Sequence, residues 1–384
     1  MKKICYVLTV PITVRAFFVP QFKCLTEHGY EVTVICSNDK ELQNDLGGDI
    51  KYIPVDMPRG VALTESVVAI CKLIKIMKKE KFDLVQYSTP NAALYASIAS
   101  KIAGIKIRNY HLMGFRYLGA KGIVRCSLKW MEKISCRLST HIECVSSSNL
   151  ELGIVEKVFK REKATVVWNG STGGVDLKRF DIHKRDFWRE EIRIKLGYSN
   201  DDFIYGFVGR ITKDKGINEL LEAYLSLDDD SKLLMVGDVE DKSTLNRDVF
   251  EKAIVCSDIN FVGSVKDIEK YYAAMDVLVL PSYREGFGNV VIEAASLGTP
   301  AIISNIPGPV DATLADVTAK LVQVKNVSQL RDAMIDIQKC DFEKMKVDTS
   351  MFAKTHFDSE ILCQKILERK NTLLGEVNEK SSGS

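Results

Sequence analysis

No run of apolar residues in this 384-residue chain approaches the ~20 that a membrane-spanning helix needs. The nearest candidate is the N-terminus, where Lys2 and Lys3 precede Ile4-Cys5-Tyr6-Val7-Leu8. That run soon meets Pro11 and Arg15 and offers no small-residue cleavage site, so it reads as a buried first strand and not as a signal peptide. Paired cysteines are also missing. Ten cysteines lie scattered, with no CxxC and no zinc-type spacing. This excludes a zinc ribbon or a dithiol centre and suggests small core hydrophobes in a reduced, cytosolic protein. Short repeats and low-complexity segments are absent too, so the chain is expected to fold as ordinary globular domains.

What is present supports that. Hydrophobic residues make up 46% and charged residues 27%, enough for a sizeable core, and the length suits about two domains. The formal charge of +2 hides a division. Residues 1–170 hold 25 Lys and Arg against 15 Asp and Glu, whereas the remainder holds 28 against 36. A basic half of this kind points to a polyanionic partner. The surplus concentrates in residues 101–137, with nine basic residues and one acid, Glu132. Lys121, Arg125, Lys129, Lys133 and Arg137 recur every fourth position, a slowly winding basic stripe on a predicted helix, beside the apolar Ile123, Val124, Leu128, Trp130, Met131, Ile134 and Leu138. Such a helix can rest on an anionic membrane, or pack on the core with its basic face in water. No nucleic-acid-binding motif accompanies the charge, so nucleic acid is not the expected partner.

Apolar runs suited to buried parallel strands occur at residues 4–10, 31–36, 84–87, 105–108 and 141–146, separated by helix-length segments at 17–28, 65–81, 92–103 and 124–138. The pattern restarts with strands at 203–208, 232–236, 258–261, 277–280 and 300–303 and helices at 216–226, 265–275 and 290–297. Alternation of this kind predicts α/β architecture with two doubly wound parallel sheets. The boundary falls near 170/171, inside the glycine-rich Asn169-Gly170-Ser171-Thr172-Gly173-Gly174, where a hinge is expected. The last four residues, 381–384, read as an appended linker.

Chemistry concentrates in Glu285-Gly286-Phe287-Gly288-Asn289-Val290-Val291-Ile292-Glu293. An apolar strand, a glycine turn and a helix start follow one another there. That arrangement presents backbone N–H groups to an anion, with Glu285 in the loop and Glu293 about two turns on.

The stretch resembles the E-x7-E motif of retaining family 4 glycosyltransferases, which have the GT-B fold of two Rossmann-like domains. Phe207-Val208-Gly209-Arg210-Ile211-Thr212-Lys213-Asp214-Lys215-Gly216-Ile217 resembles that family's Gly-Arg turn and Lys-Gly segment. Leu234-Met235-Val236-Gly237-Asp238 resembles its next strand end, and Phe261-Val262-Gly263-Ser264-Val265 the loop that meets the nucleotide base. Trp168-Asn169-Gly170 with Val175, Asp176 and Phe180 resembles the connector, while Asp83 through Pro90 to His111 is similar to enzymes of capsular and other lipid-linked surface glycans.

The resemblance implies an acceptor domain at 1–170 and a donor domain at 171–357, with a helix at 358–374 crossing back to the first. It implies that Arg210 and Lys215 hold the donor diphosphate, while the amides of Gly286, Phe287, Gly288 and Asn289 meet its β-phosphate. Glu293 would bind the ribose and Glu285 the donor sugar, with Gly209, Gly263 and Val265 completing the nucleotide site. On the acceptor side it implies His111, following a strand end and facing the sugar, with Arg116, Thr13 and Arg15 as further contacts. The loop Thr9-Val10-Pro11-Ile12-Thr13-Val14-Arg15 departs from the paired glycines of many relatives.

Asp228-Asp229-Asp230 reads as a polar turn and not as a metal-binding carboxylate pair, so no metal or other cofactor is expected. The implied activity is transfer from a nucleotide diphosphate sugar, with UDP the family-level choice, to a polyprenyl-diphosphate-linked saccharide in capsule or O-antigen assembly. The place is the inner face of the cell membrane, reached through residues 101–137. Two rivals share the donor site: a nucleotide-sugar epimerase of the same fold, and a non-catalytic sugar-nucleotide-binding subunit.

Overall fold

The computed structural model of the chain describes residues 1–58, 63–240 and 242–382; of the predicted linker, Gly383 and Ser384 lie outside them. The chain divides into two compact units, Met1–Gly173 with Glu360–Ser384, and Gly174–Ser359.

The first unit is built on a parallel sheet of β1 (Lys2–Val7), β2 (Tyr30–Cys36), β3 (Lys51–Pro54), β4 (Leu84–Ser88), β5 (Ile107–Leu112), β6 (His141–Cys144) and β7 (Ala164–Val166), in the order β3-β2-β1-β4-β5-β6-β7. Side chains alternate across a strand, so each strand serves two cores. Cys5, Val7, Val85 and Tyr87 pack with Leu73 and Met77 of the helix Leu63–Glu80 and with the alanines of the helix Pro90–Ile102. Ile4, Tyr6 and Leu84 pack on the other face with Phe18, Phe22 and Leu25, and with Leu367 and Leu373 of the final helix Ser359–Ser382. The chain's last segment is therefore part of the first unit's core.

The second unit repeats the scheme with β8 (Ile204–Val208), β9 (Lys232–Val236), β10 (Ile259–Gly263), β11 (Val277–Leu280), β12 (Ala301–Ser304) and β13 (Ala319–Val322), in the order β10-β9-β8-β11-β12-β13. Its floor is tied by a buried charge cluster. Arg193, with no exposed surface, donates to Asp276 Oδ2 at 2.8 Å and to the carbonyls of Ser199, Asn200, Asp202 and Ala274. Asp276 Oδ2 also accepts from the amide of Ile204, which opens β8, at 2.8 Å. Chain entry and exit are joined: Val175 N donates to Phe357 O at 2.7 Å and Ser359 N to Val175 O at 3.0 Å.

Several local expectations change. The strand expected over 4–10 stops at Val7, because Pro11 starts the helix Pro11–Phe17 at the one helical position where its missing N–H costs nothing. Thr13 and Arg15 therefore stand on a helix, not in a loop. The fifth strand runs to Leu112, which puts His111 inside β5 and not after it. Three short edge strands, β3, β7 and β13, were not expected. Their residues are largely half-buried or exposed, so they carry no long apolar run.

Candidate active site

In an open parallel sheet the crevice for ligands opens where the strand order reverses, beyond the carboxyl ends of the strands. In the second unit that point lies between β8 and β11. Gly209 and Arg210 follow β8, and Pro281 through Glu285 follow β11. The turn carrying Lys215 is pressed onto the β11 end at Gly216 (φ 73°), where a Cβ would lie 2.1 Å from the Pro281 carbonyl oxygen. Only glycine permits that approach, and it brings together two residues seventy positions apart. Lys215 Nζ donates to Glu285 Oε1 at 2.5 Å, and Ser282 Oγ donates to the same oxygen at 2.8 Å. With Oε1 held twice, Oε2 makes no hydrogen bond among the described residues and is the oxygen left for a ligand.

The glycine turn continues into the helix Asn289–Ser296, whose N-cap is Gly288 (φ 94°), a residue with no side chain to cap it. Such an end attracts anions. Phe287 is buried edge-on against Phe357 at 5.4 Å, which fixes the turn from below. Gly308 backs it, since a Cβ there would lie 2.8 Å from Gly286 O. Glu293 accepts from the Tyr272 hydroxyl at 2.8 Å, and burial pushes its carboxyl above the usual range. Arg210 is exposed and pairs with Glu240 at 2.7 Å. Gly263 ends β10, its carbonyl accepting from Gly237 N at 2.9 Å, and Val265 is half-buried beside it. The sequence reading missed Ser282, Asp214 and Arg284. Asp214 accepts from Thr212 and from Arg284 at 2.8 Å, bracing the Lys215 turn against the Glu285 loop.

In the first unit the order reverses between β1 and β4. Thr9 and Thr89 meet there, their hydroxyls 2.7 Å apart. Thr89 sits at φ 69°, an unusual conformation for a β-branched residue. His111 is buried in β5 with Nδ1 3.2 Å from Ser88 Oγ, and burial lowers it to about 4, so the imidazole is neutral near pH 7. Arg116 is exposed in a short turn and donates to Asn91 Oδ1 at 3.3 Å. Thr13 is half-buried. Arg15 is exposed, and its guanidinium bonds Asp39 at 2.9 Å and Asp45 at 2.5 Å.

The basic helix spans Gly122–Leu138 and divides its charges between partners and solvent. Arg125 and Lys129 face inward, both paired with Glu156 and both over the Tyr117 ring at 5.7 Å. Ile123, Val124 and Trp130 stand 85%, 56% and 66% exposed. Glu132 is buried, accepts from Tyr110 at 2.6 Å and is pushed up to about 7 by burial. No helix among the described residues is long and apolar enough to cross a membrane. Among those residues, too, no group of three or more His, Cys, Asp or Glu is placed to hold a metal ion. Asp229 of the acidic turn caps Ser231 N at 3.0 Å.

Two Rossmann-like units, with a cationic glycine turn and a helix N-terminus at the second unit's switch point, define a GT-B glycosyltransferase. The chain belongs to the family described as glycosyl transferases group 1, whose model matches residues 188–354, with a glycosyl transferase 4-like half at residues 3–147. It is 30% identical over 362 residues, 93% of each chain, to the capsular polysaccharide biosynthesis glycosyltransferase CapM of Staphylococcus aureus. Identity is 27% over 347 residues, 87% of each chain, to the UDP-Gal:alpha-D-GlcNAc-diphosphoundecaprenol alpha-1,3-galactosyltransferase of Escherichia coli. Among solved structures, Anabaena HepE in complex with UDP and glucose has the same fold, with a TM-score of 0.78 at 17% identity over 97% of this chain and all of that one. A sucrose-phosphate synthase from Thermosynechococcus elongatus has a TM-score of 0.79 at 18% identity, over 98% of this chain and all of its own.

Proposed function

We propose that this glycosyltransferase moves a sugar from a UDP-sugar to a saccharide on a polyprenyl diphosphate, with retention of configuration, in capsule or related surface-glycan assembly. The observation that carries the reading is the Lys215–Glu285 pair at the switch point, beside the N-terminus of the helix Asn289–Ser296. Negative charge builds on the diphosphate as the glycosidic bond breaks. Lys215, Arg210 and the amides of Gly286, Phe287, Gly288 and Asn289 oppose that charge with a pre-formed field, the term that most lowers such barriers. Glu285 Oε2 accepts from a hydroxyl of the donor sugar, and Glu293 from the ribose. In the first unit His111, neutral because it is buried, is the acceptor-side candidate. No enzymic nucleophile is needed: the leaving diphosphate oxygen takes the acceptor proton on the same face. No metal is needed when cations and helix amides supply the field. The activities named for the Escherichia coli and Staphylococcus aureus relatives support the acceptor class and the pathway.

Attachment to the inner, anionic membrane surface is part of the proposal. The outward Ile123, Val124 and Trp130 supply apolar contact, while the exposed Lys121 and Arg137 and the half-buried Lys133 supply charge. Each cation near such a surface contributes about 1 kcal/mol. The decisive assay is nucleoside diphosphate release across UDP- and GDP-sugars, with and without a polyprenyl-diphosphate-linked sugar and with excess chelator. Release from one UDP-sugar, stimulated by the lipid and indifferent to chelator, is expected. Sugar interconversion without acceptor would replace the reading with an epimerase, and donor binding without turnover with a binding subunit.

A further inference from the structure

The residues from Ser282 to Glu285, which follow β11, divide between two tasks. Ser282 and Glu285 form the site itself: the Ser282 hydroxyl and Lys215 Nζ both donate to Glu285 Oε1, at 2.8 and 2.5 Å. Tyr283 and Arg284, between them, reach back to the turn that carries Lys215. Tyr283 N donates to Asp214 O at 2.9 Å, and Arg284 Nη2 donates to Asp214 Oδ2 at 2.8 Å. The Tyr283 hydroxyl donates to Glu219 Oε1 at 2.6 Å, on the helix Ile217–Leu225 that follows the turn. Thr212 Oγ1 donates to Asp214 Oδ1 at 2.9 Å, so both carboxylate oxygens and the carbonyl of Asp214 are engaged in fixing the turn. Stability alone does not account for this arrangement. The Arg284 and Asp214 side chains are 37% and 38% exposed, and an ion pair so well hydrated adds little to folding. Arg284 makes no second ion pair among the described residues, and its Nε is buried without a hydrogen bond, which is a cost.

We propose that Asp214 and Arg284 are positioning residues for transfer: they hold the Lys215 turn and the Glu285 loop at the separation that lets Lys215 Nζ reach Glu285 Oε1. The proposal rests on the Lys215–Glu285 pair belonging to the donor site. Gly216, closed against the Pro281 carbonyl, allows the two turns to meet but does not set their angle. The Asp214–Arg284 bond lies to one side of that contact and the Lys215–Glu285 bond is made beside it, so the first restrains the second. Neither residue has to touch a ligand for this. An ammonium and a carboxylate attract each other over a range of distances, whereas their contacts with a reacting group need one geometry, and a displacement of about 1 Å costs about 10²-fold in rate.

Four variants of the full chain test this: Asp214→Ala, Arg284→Ala, the double variant and Arg284→Lys. Each is followed by nucleoside diphosphate release, thermal melting and a crystal structure. Both single alanine variants are expected to lower kcat by about 10- to 100-fold, with a smaller change in donor KM. The double variant loses no more than the worse single one, because all three remove the same tie. Arg284→Lys, which keeps a cation for Asp214, retains most of the rate. Unfolding temperature falls by no more than about 3 °C, as suits a hydrated ion pair. In the double variant the Lys215 Nζ–Glu285 Oε1 contact opens beyond ~3.2 Å, the limit of an ordinary hydrogen bond. A contact unchanged there, losses that multiply in the double variant, or rates that fall in step with melting temperature overturn the positioning role. An opened contact with an undiminished rate overturns instead the place of the Lys215–Glu285 pair in transfer.

Discussion

Lys215 and Glu285 are the residues on which catalysis is expected to turn. The pair is only partly exposed, and its strength lies in preorganisation, since Ser282 fixes the carboxylate and Gly216 fixes the approach of the lysine. On the proposed mechanism Lys215→Met removes a cation that opposes charge on the leaving group, and it is expected to lower kcat by about 10²–10³-fold, with little change in unfolding temperature. Steady-state kinetics beside a thermal melt separates the two effects. Arg193 is the opposite case. Arg193→Met leaves Asp276 with Arg189 at 2.7 Å but strips a buried donor from the carbonyls of Ser199, Asn200, Asp202 and Ala274, which costs about 1–3 kcal/mol, read by denaturant unfolding. The sequence shows the carboxylates of E-x7-E because they lie on one continuous stretch. It does not show which lysine meets Glu285, or that Arg15 pairs with Asp39 and Asp45, because those pairings depend on how distant turns pack.

Elements were legible in proportion to their burial. The central strands, buried along most of their length, were all anticipated, whereas β3, β7 and β13 were not, because half-exposed edge strands carry a short mixed pattern. The helix Gly122–Leu138 shows a second reason. Residues four apart drift about 40° around a helix, so a stripe of five spreads over nearly half the circumference and its members meet different surroundings. Two of its cations pair with Glu156, and the apolar Ile123, Val124 and Trp130 stand exposed. Trp130→Ser is expected to weaken binding to anionic vesicles roughly tenfold, read by co-sedimentation. The same helix holds a pH-dependent element. Glu132 titrates at about 7 when folded against 4.5 as a free carboxyl, so the folded state binds the extra proton between those values. Stability from this group therefore falls as pH rises from about 4.5 to 7. Glu132→Gln, which keeps an acceptor for Tyr110, is expected to match the wild type at pH 4.5 and to melt higher at pH 8. Comparing the two proteins cancels the opposite trend from His111, whose lowered titration adds stability as pH rises from about 4 to 6.5.

At the scale of the molecule, two repeating α/β patterns predicted two doubly wound sheets, and the alternation of strands and helices was sufficient for that. Which helix completes which sheet was not contained in local pattern, because the final helix packs by Lys370, Leu367 and Leu373 against strands more than two hundred residues earlier. The second unit is a continuous segment whose two ends are bonded at Val175 and Ser359. Residues 174–359 expressed alone are accordingly expected to fold and bind UDP, tested by calorimetry. Residues 1–173 alone are expected to unfold at much lower denaturant than the full chain, because Glu143 is then buried without Lys370. The order of synthesis gives this layout a further meaning. A growing polypeptide leaves the ribosome with its second unit finished and its first still waiting for the helix Ser359–Ser382. A product cut short before that helix has a whole second unit and a first unit whose sheet is left uncovered on one face. Translation of that helix becomes the step that completes the first unit.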